Sequence, residues 1–461
     1  MLLVDPPALD ADALRSQLDG TVVAPGDAEW DVARQAWNLA VDQRPALVAI
    51  PSDEDDVVAI VEFARAHGLR VAPQGTGHNA APLGSLERTI LLKTSAMRGV
   101  EIDAERRVAR VRAGALWAEV TGPASEHGLA PLAGSSPDVG VVGYTLGGGL
   151  SWLARRHGLA CNSVISIDVV TADGRRLRAD RNHEPDLYWA LRGGTGSFAI
   201  VTAMEIALYQ LPEVYAGALL WPWERAGEVL RRWADWCRTA PETITTSARL
   251  LQVPPVPDIP EPLRGRQFVV IDGAFIGDAA AGAAVLRPLR ALEPEIDLFG
   301  VQPAAALSRI HMDPEQPVPG IGSHMLIDEL SDAAIDTLVA AAGPDSGSPL
   351  LAVELRHLGG AVRRRPDEHG ALATLDAGFC LFAVGVPMDD GMAAAIVAHH
   401  DRLATAMNLW DAGTRFLNFS EEPTDPGTAY PDATLRRLSA VKAVYDPTDR
   451  IASNHAIPVD A

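Results

Sequence analysis

The stretch Pro73-Gln74-Gly75-Thr76-Gly77-His78-Asn79 decides how this chain is read. Two glycines bracket a threonine and hand the chain to a histidine. Glycine lets a backbone approach a ligand with no Cβ in the way, and it tolerates positive φ. The run entering the loop, Leu69–Pro73, has strand character, as does Leu47–Pro51 upstream. Between them Val57, Val58, Ile60, Val61 and Phe63 form a helical stripe. Ser52 with Asp55 predicts a capping box at the start of that helix, and Gly68 predicts its stop.

A second glycine loop, Gly140-Val141-Val142-Gly143-Tyr144-Thr145-Leu146-Gly147-Gly148-Gly149, follows about seventy residues on. Two such loops between strand and helix patterns suggest backbone amides lining a long anionic cofactor. Working outward, strands are expected at Thr89–Lys93, Val108–Ala113, Ser163–Thr171, Arg176–Ala179 and Phe198–Leu208. Helices are expected at Ala11–Leu18, Ala115–His127, Leu150–His157 and Asp186–Arg192, and Asp173-Gly174 reads as a hairpin turn. Gly194-Thr195-Gly196-Ser197-Phe198-Ala199 satisfies G-x-G-x-x-A, but a helix precedes it and a strand follows. A Rossmann site needs the opposite order.

Near residue 210 the texture changes. Helical stretches at Trp223–Thr239 and Asp278–Ala291 alternate with strands at Gln267–Ile276, Leu351–Leu358 and Phe379–Val386, which predicts an α+β unit with an antiparallel sheet. The proline-rich loops Val253–Pro262 and Asp313–Gly322 are expected to border a cleft. His399-His400 is expected on a solvated helix face, and Thr434–Tyr445 reads as a closing helix.

Composition narrows the function. With 60 acidic against 39 basic residues the net charge is −21, a surface that repels phosphate backbones, so nucleic acid is excluded as a partner. No apolar run of 18 residues predicts a membrane span. Met1–Pro7 lacks the basic, apolar pattern of a signal peptide, so a cytoplasmic location is expected. Cys161, Cys237 and Cys380 fit neither a disulfide framework nor a metal spacing, and no metal site is expected.

Five segments in order carry a specific resemblance: Pro73–Asn79; Gly134–Gly149 with the following helix and Gly158-Leu159-Ala160; Tyr188–Thr202; Phe416–Phe419; and Val441–Pro458 with its Tyr445-Asp446-Pro447 and Asn454-His455. Together they resemble the berberine-bridge-enzyme-like branch of the vanillyl-alcohol-oxidase-type FAD oxidases. The resemblance implies an α+β architecture with a PCMH-type FAD-binding domain in two parts, 1–207 and 415–461, around an α/β substrate domain, 208–414, built on a large antiparallel sheet. It places FAD against Pro73, Gln74, Gly75, Thr76, Gly77, His78 and Asn79. It adds Gly134, Ser135, Ser136, Val139, Gly140, Gly143, Tyr144, Gly148 and Gly149 from the second loop. Gly158, Asn162, Val164, Gly196, Ile200, Val201, Phe416, Asn418 and Asn454 complete the implied cofactor set. His78 aligns with the histidine bonded to the flavin 8α-methyl.

Two departures matter. Many relatives add a cysteine link in a G-x-C-x-x-V-G pattern, and here Ser136 takes its place. A hydroxyl cannot form the thioether, so a single histidyl bond is expected, as in the mono-covalent 6-hydroxy-D-nicotine oxidase type. Gln74 also replaces a common arginine. Sugar and alcohol oxidases of the family carry Tyr-x-Asn, whose phenolate takes the hydroxyl proton; here the segment is Phe416-Leu417-Asn418. Phenylalanine accepts no proton. A neutral amine can lose hydride without one, so an amine or N-heterocycle is favoured as the small-molecule substrate. An alcohol or sugar oxidase, and a flavin dehydrogenase or biosynthetic cyclase, are the alternatives. Replacement bases are Tyr144, Glu354, His357, His324 and Asp328. Alternation along Leu351–Leu358 puts Val353, Leu355 and His357 on one face, and Glu354 and Arg356 on the other. Val139 falls where the family controls oxygen access, which implies O2 as acceptor. Oligomeric state is not legible.

Overall fold

The structure, a computed structural model, describes residues 9–257 and 259–459; Met1–Pro7 and Asp258 of the proline-rich loop lie outside the described residues. Strands Leu47–Ile50, Thr89–Lys93 and Arg70–Gln74 pair in parallel, with Pro73 opposite Leu92 and Gln74 opposite Lys93. Thr21–Val23 closes the other edge antiparallel. Helix Glu54–Ala66 covers this sheet, burying Val57, Ile60 and Val61 against Val71 and Ile90. Its cap is Asp53 rather than the expected Ser52–Asp55 box: the Asp53 carboxylate accepts from Asp55 N (2.9 Å) and Asp56 N (3.1 Å). Asp56 is drawn elsewhere, accepting from Ser52 N (2.7 Å), Asp19 N and Gly20 N, which ties the N-terminal segment to the helix start.

A second sheet orders Val100–Asp103, Val108–Arg112, Ile200–Ala207, Val164–Val170 and Arg176–Ala179, with Gly174 at φ +87° in the expected turn. The C-terminal helix Asp432–Tyr445 is stitched to these layers by Lys442, fully buried, whose Nζ donates to Ser197 O and Asp446 Oδ2 at 2.9 Å. Ile451 bridges to Val71 beside the histidine loop.

The largest sheet has eight strands. Glu213–Pro222, Gln267–Phe275, Ile244–Gln252, Ala352–His357, Phe379–Gly385 and Ile321–Ile327 run antiparallel in that spatial order. Ile296–Asp297 and Gly300–Pro303 pair on the outer side of the first. Helices Ala226–Cys237, Ala279–Arg290, Asp332–Ala342 and Asp390–Met407 pack on one face, burying Trp233, Leu250, Ile271, Leu355, Leu381 and Leu403 in one core. His399 and His400 belong to this packed surface, 4% and 6% exposed, and not to a solvated face: the helix lies flat on the sheet and turns both inward. The opposite face carries Asp272, Ser247, Arg249, Glu354 and Arg356, read from strand registers that put these residues side by side.

Two further expectations shift. Helix 150–157 shrinks to Ala154–His157, because Gly148 and Gly149 have φ of +122° and +74° and the Ser151 hydroxyl accepts from Leu153 N in a local turn. A short helix, Val141–Leu146, forms inside what reads as a loop. The three cysteines are free and buried. Among the described residues no helix is long and apolar enough to cross a membrane.

Candidate active site

The parallel strand Arg70–Gln74 delivers the histidine loop. Gly77 has φ +87°, and a Cβ there would lie 3.0 Å from Ala36 and 3.1 Å from the Gln74 side chain. Gly75 and Gly143 face open space, with nothing within 4 Å of an added Cβ, and a Cβ on Gly140 would meet Thr76 at 3.8 Å. These three glycines leave room for a flat ligand between the two loops. The glycines of the run 147–149 serve a different need: an added Cβ would strike Asn418 from Gly147 (2.7 Å), Leu372 and Phe416 from Gly148 (2.7 and 2.8 Å) and Tyr144 from Gly149 (2.4 Å). Gly134 likewise admits the Tyr144 ring.

His78 sits at the mouth of this space. Its ring stacks on Trp37 with centroids 3.9 Å apart, and its Nε2 is buried without a hydrogen-bond partner among the described residues. Burial lowers its pKa against the opposing pull of Asp138, so the imidazole is held toward its neutral, nucleophilic form. Asn79 Oδ1 and Gln74 Oε1 are also buried and unpartnered there. Orphaned polar atoms beside glycine-lined space fit a flavin: His78 would hold its ring, and the loops its dinucleotide.

The remaining segments meet here. Asn79 Nδ2 donates to Leu417 O, Asn454 Nδ2 to Asn79 O, and Asn418 links Gly149 N with Tyr144 O. Pro73 is half-buried in the parallel sheet, and Val139 is half-buried beside the core of the second sheet. Ile200, Val201 and Val164 are buried in the hydrophobic cores, and a Cβ on Gly196 would approach Leu146 at 3.8 Å. Asn162 is committed to Leu372 O and Gly370 N, and Gly158 at φ +85° turns the chain beside Ala361. Phe416 is 1% exposed and packs with Leu326, Leu358 and Leu372.

Above the glycine loops the sheet presents a buried charged chain. Asp272, with no exposure, accepts from Ser247 Oγ (2.7 Å), Arg249 Nη2 (2.6 Å) and His311 Nδ1 (2.8 Å). His311 Nε2 lies 3.3 Å from Glu354 Oε2, and Arg356 Nε donates to the other Glu354 oxygen. Arg356 Nη2 reaches Ser135 Oγ at 3.2 Å, and Ser135 donates to Asp313 at 3.1 Å, so the second loop and the sheet are wired together. Burial and Arg249 oppose a proton on His311, but Asp272, Glu354 and Asp313 prevail and raise its pKa to about 9. Burial would raise the Glu354 carboxyl, but Arg356 and then His311 hold it well below the usual range. Glu354 is therefore an ionised and very weak base.

The other candidate bases separate. His357 faces the helices between Trp233 and Phe379, its pKa pushed down to about 3 by burial, so it lies on the far side of the sheet from Glu354. Tyr144 is half-buried, edge-on to Trp117, and burial of its hydroxyl lifts the phenol far above the ordinary value. His324 accepts from Phe416 N at 3.0 Å, with its pKa lowered to about 3 by burial. Asp328 is exposed at a strand end. Reading the sequence missed Asp272, His311 and Glu421. An aspartate inside Gln267–Phe275 was a usable signal, because it interrupts an apolar strand. Glu421 accepts from Gly322 N at 2.7 Å, and burial raises its pKa to about 7.

Comparison with known proteins agrees with this geometry. Residues 45–180 match the FAD binding domain family. Over 96% of this chain and 98% of its own length, the uncharacterized FAD-linked oxidoreductase YgaK of Bacillus subtilis is 25% identical. The (R)-6-hydroxynicotine oxidase of Paenarthrobacter nicotinovorans is 32% identical over 205 residues, 44% of this chain and 45% of its own. The solved structure of Physcomitrella patens BBE-like 1 superposes with a TM-score of 0.85 at 20% identity, covering 98% of this chain and 99% of that one. Fold and matches define an FAD-dependent oxidoreductase with a PCMH-type FAD-binding fold. The chain is an FAD-linked oxidoreductase by its FAD binding domain and its relatives, and it shares its fold with the BBE-like structure.

Proposed function

We propose that this protein is an oxidase that takes a hydride from a small amine or N-heterocycle and passes the electrons to O2, with FAD joined to His78 by a single bond. In this reading residues 1–207 and 415–461 form the FAD-binding domain and 208–414 the substrate domain. FAD, when bound, supplies the hydride acceptor. The chain's own residues position the substrate and set its charge. The carrying observation is the polar sheet face: Glu354 is locked ionised between Arg356 and His311, Tyr144 is held neutral, and Phe416 is turned into an apolar core. Such a face offers the hydroxyl of an alcohol no strong base at Glu354, Tyr144 or position 416, whereas a neutral amine gives up its hydride without one. The test is anaerobic bleaching of the flavin by a panel of amines, N-heterocycles, alcohols and sugars, followed by peroxide yield in air. Bleaching by amines with one peroxide per turnover is expected. Bleaching confined to alcohols, or turnover without peroxide, overturns the corresponding half of the reading.

For the covalent bond, acid precipitation should leave the flavin with the wild-type pellet and release it from His78→Ala. Free flavin from wild type would overturn the attachment. One observation favours an alcohol or sugar instead: Glu421, three residues beyond Asn418 and held by Gly322 N at 2.7 Å, has its pKa raised by burial to about 7 and is suited to take a hydroxyl proton near neutrality. Under that second reading Glu421→Gln lowers kcat on the alcohol about a hundredfold; an unchanged kcat removes it.

A further inference from the structure

His78 stands in a clamp that the glycine motifs do not announce. Trp37 stacks on its ring at an interplanar angle of 23°. The tryptophan is itself pinned: its backbone N–H donates to Thr76 O at 3.0 Å, and its indole Nε1 donates to Asp138 Oδ2 at 2.5 Å. Asn38, the next residue, exchanges two hydrogen bonds with the backbone of Gly320, at 2.9 and 3.0 Å. Asp138 also accepts from Ser136 Oγ at 2.6 Å, and the same oxygen lies 3.7 Å from His78 Nε2. That gap is too long for a hydrogen bond, so the carboxylate is aimed at the imidazole edge without being consumed by it. The Ser136 hydroxyl thus orients Asp138.

We propose that Asp138 accepts the imidazole proton as His78 bonds to the flavin 8α-carbon, and that Trp37 holds the ring plane for that reaction. This rests on the reading above that His78 carries the covalent link. Asp138 faces Nε2, which leaves Nδ1 to form the bond. The step breaks one C–H bond of the 8α-methyl and the imidazole N–H bond, and it forms one C–N bond. The methyl proton goes to solvent and the Nε2 proton to Asp138; the two electrons reduce the flavin ring. O2 then takes those electrons with two protons as peroxide, so flavin-CH3, imidazole and O2 give flavin-CH2-imidazole and H2O2. Alkylation leaves the ring cationic in a partly buried site, and loss of its proton to an adjacent carboxylate relieves that charge.

The test uses the full chain purified without flavin, mixed with FAD in aerated buffer. Covalent product is read as flavin fluorescence retained after acid precipitation, against the flavin bound before acid. Asp138→Asn, matched in shape, should bind FAD yet form the bond about a hundredfold more slowly, as expected for loss of a general base. Trp37→Phe should slow it by less. Asp138→Ala should be slow as well, and rescued by added formate. Wild-type rates of bond formation in both Asp138 variants, with the wild type covalent, overturn this proposal alone. A wild type that releases all its FAD in acid overturns the attachment reading and this proposal together.

Discussion

The two faces of the strand Ala352–His357 are built from alternate residues of one short segment, yet they make opposite environments. Val353, Leu355 and His357 face four helices and an apolar core, where a histidine is stripped of its proton between aromatic rings. Glu354 and Arg356, one residue out of phase, face the glycine loops and join a buried chain of charges that keeps His311 protonated. Exposure does not distinguish the faces, since Glu354 and His357 are 4% and 7% exposed. What distinguishes them is whether charged partners are waiting. Burial alone drives an ionisable group neutral, and burial among opposite charges keeps it ionised.

That contrast can be broken most severely at Glu354. Glu354→Ala leaves Arg356 and His311 buried without their shared counter-ion, and we expect a loss of about 3–5 kcal/mol of stability, read as a fall in the denaturation midpoint; a change near zero would mean the charges are not coupled. Next comes Phe416→Tyr. Its hydroxyl would enter the pocket of Leu326, Leu358 and Leu372, costing about 1–3 kcal/mol if unpaired, and alcohol oxidation should not appear. Gain of alcohol turnover would show that position 416 can reach the substrate after all.

A pH titration sharpens the comparison more gently. His311 is raised from 6.5 to about 9 in the folded chain, so its contribution is fully present below the unfolded value and is lost as pH rises through about 9. Stability followed from pH 6 to 10 should fall at the alkaline end, and His311→Asn should flatten that limb. The smallest effect is expected on the apolar face: His357→Leu, close in volume to the neutral imidazole it replaces, should cost less than about 1.5 kcal/mol, with kcat/KM unchanged. A large loss of activity there would place His357 in the reaction and erase the difference between the faces.

Local pattern reached far in this chain. The strand entering Pro73–Asn79, the helix behind it and the Asp173-Gly174 turn are short-range features, and the alternation at 353–357 sorted its side chains correctly before any partner was known. Helix Val141–Leu146 was hidden because its four flanking glycines argue for a loop, while the packing of Asn418 and Tyr144 demanded two of them, Gly147 and Gly149. His399 and His400 look like surface residues in any helix; only docking against the sheet buries them.

Thus the order of glycines and strands along the chain was enough to mark two glycine loops with a histidine at the end of the first, because turn geometry and side-chain periodicity depend on near neighbours. Which carboxylate faces which cation was decided by the tertiary structure. Asp272, His311 and Glu354 come from distant segments, as do Trp37, His78 and Asp138, and electrostatic coupling acts through space and not along the chain.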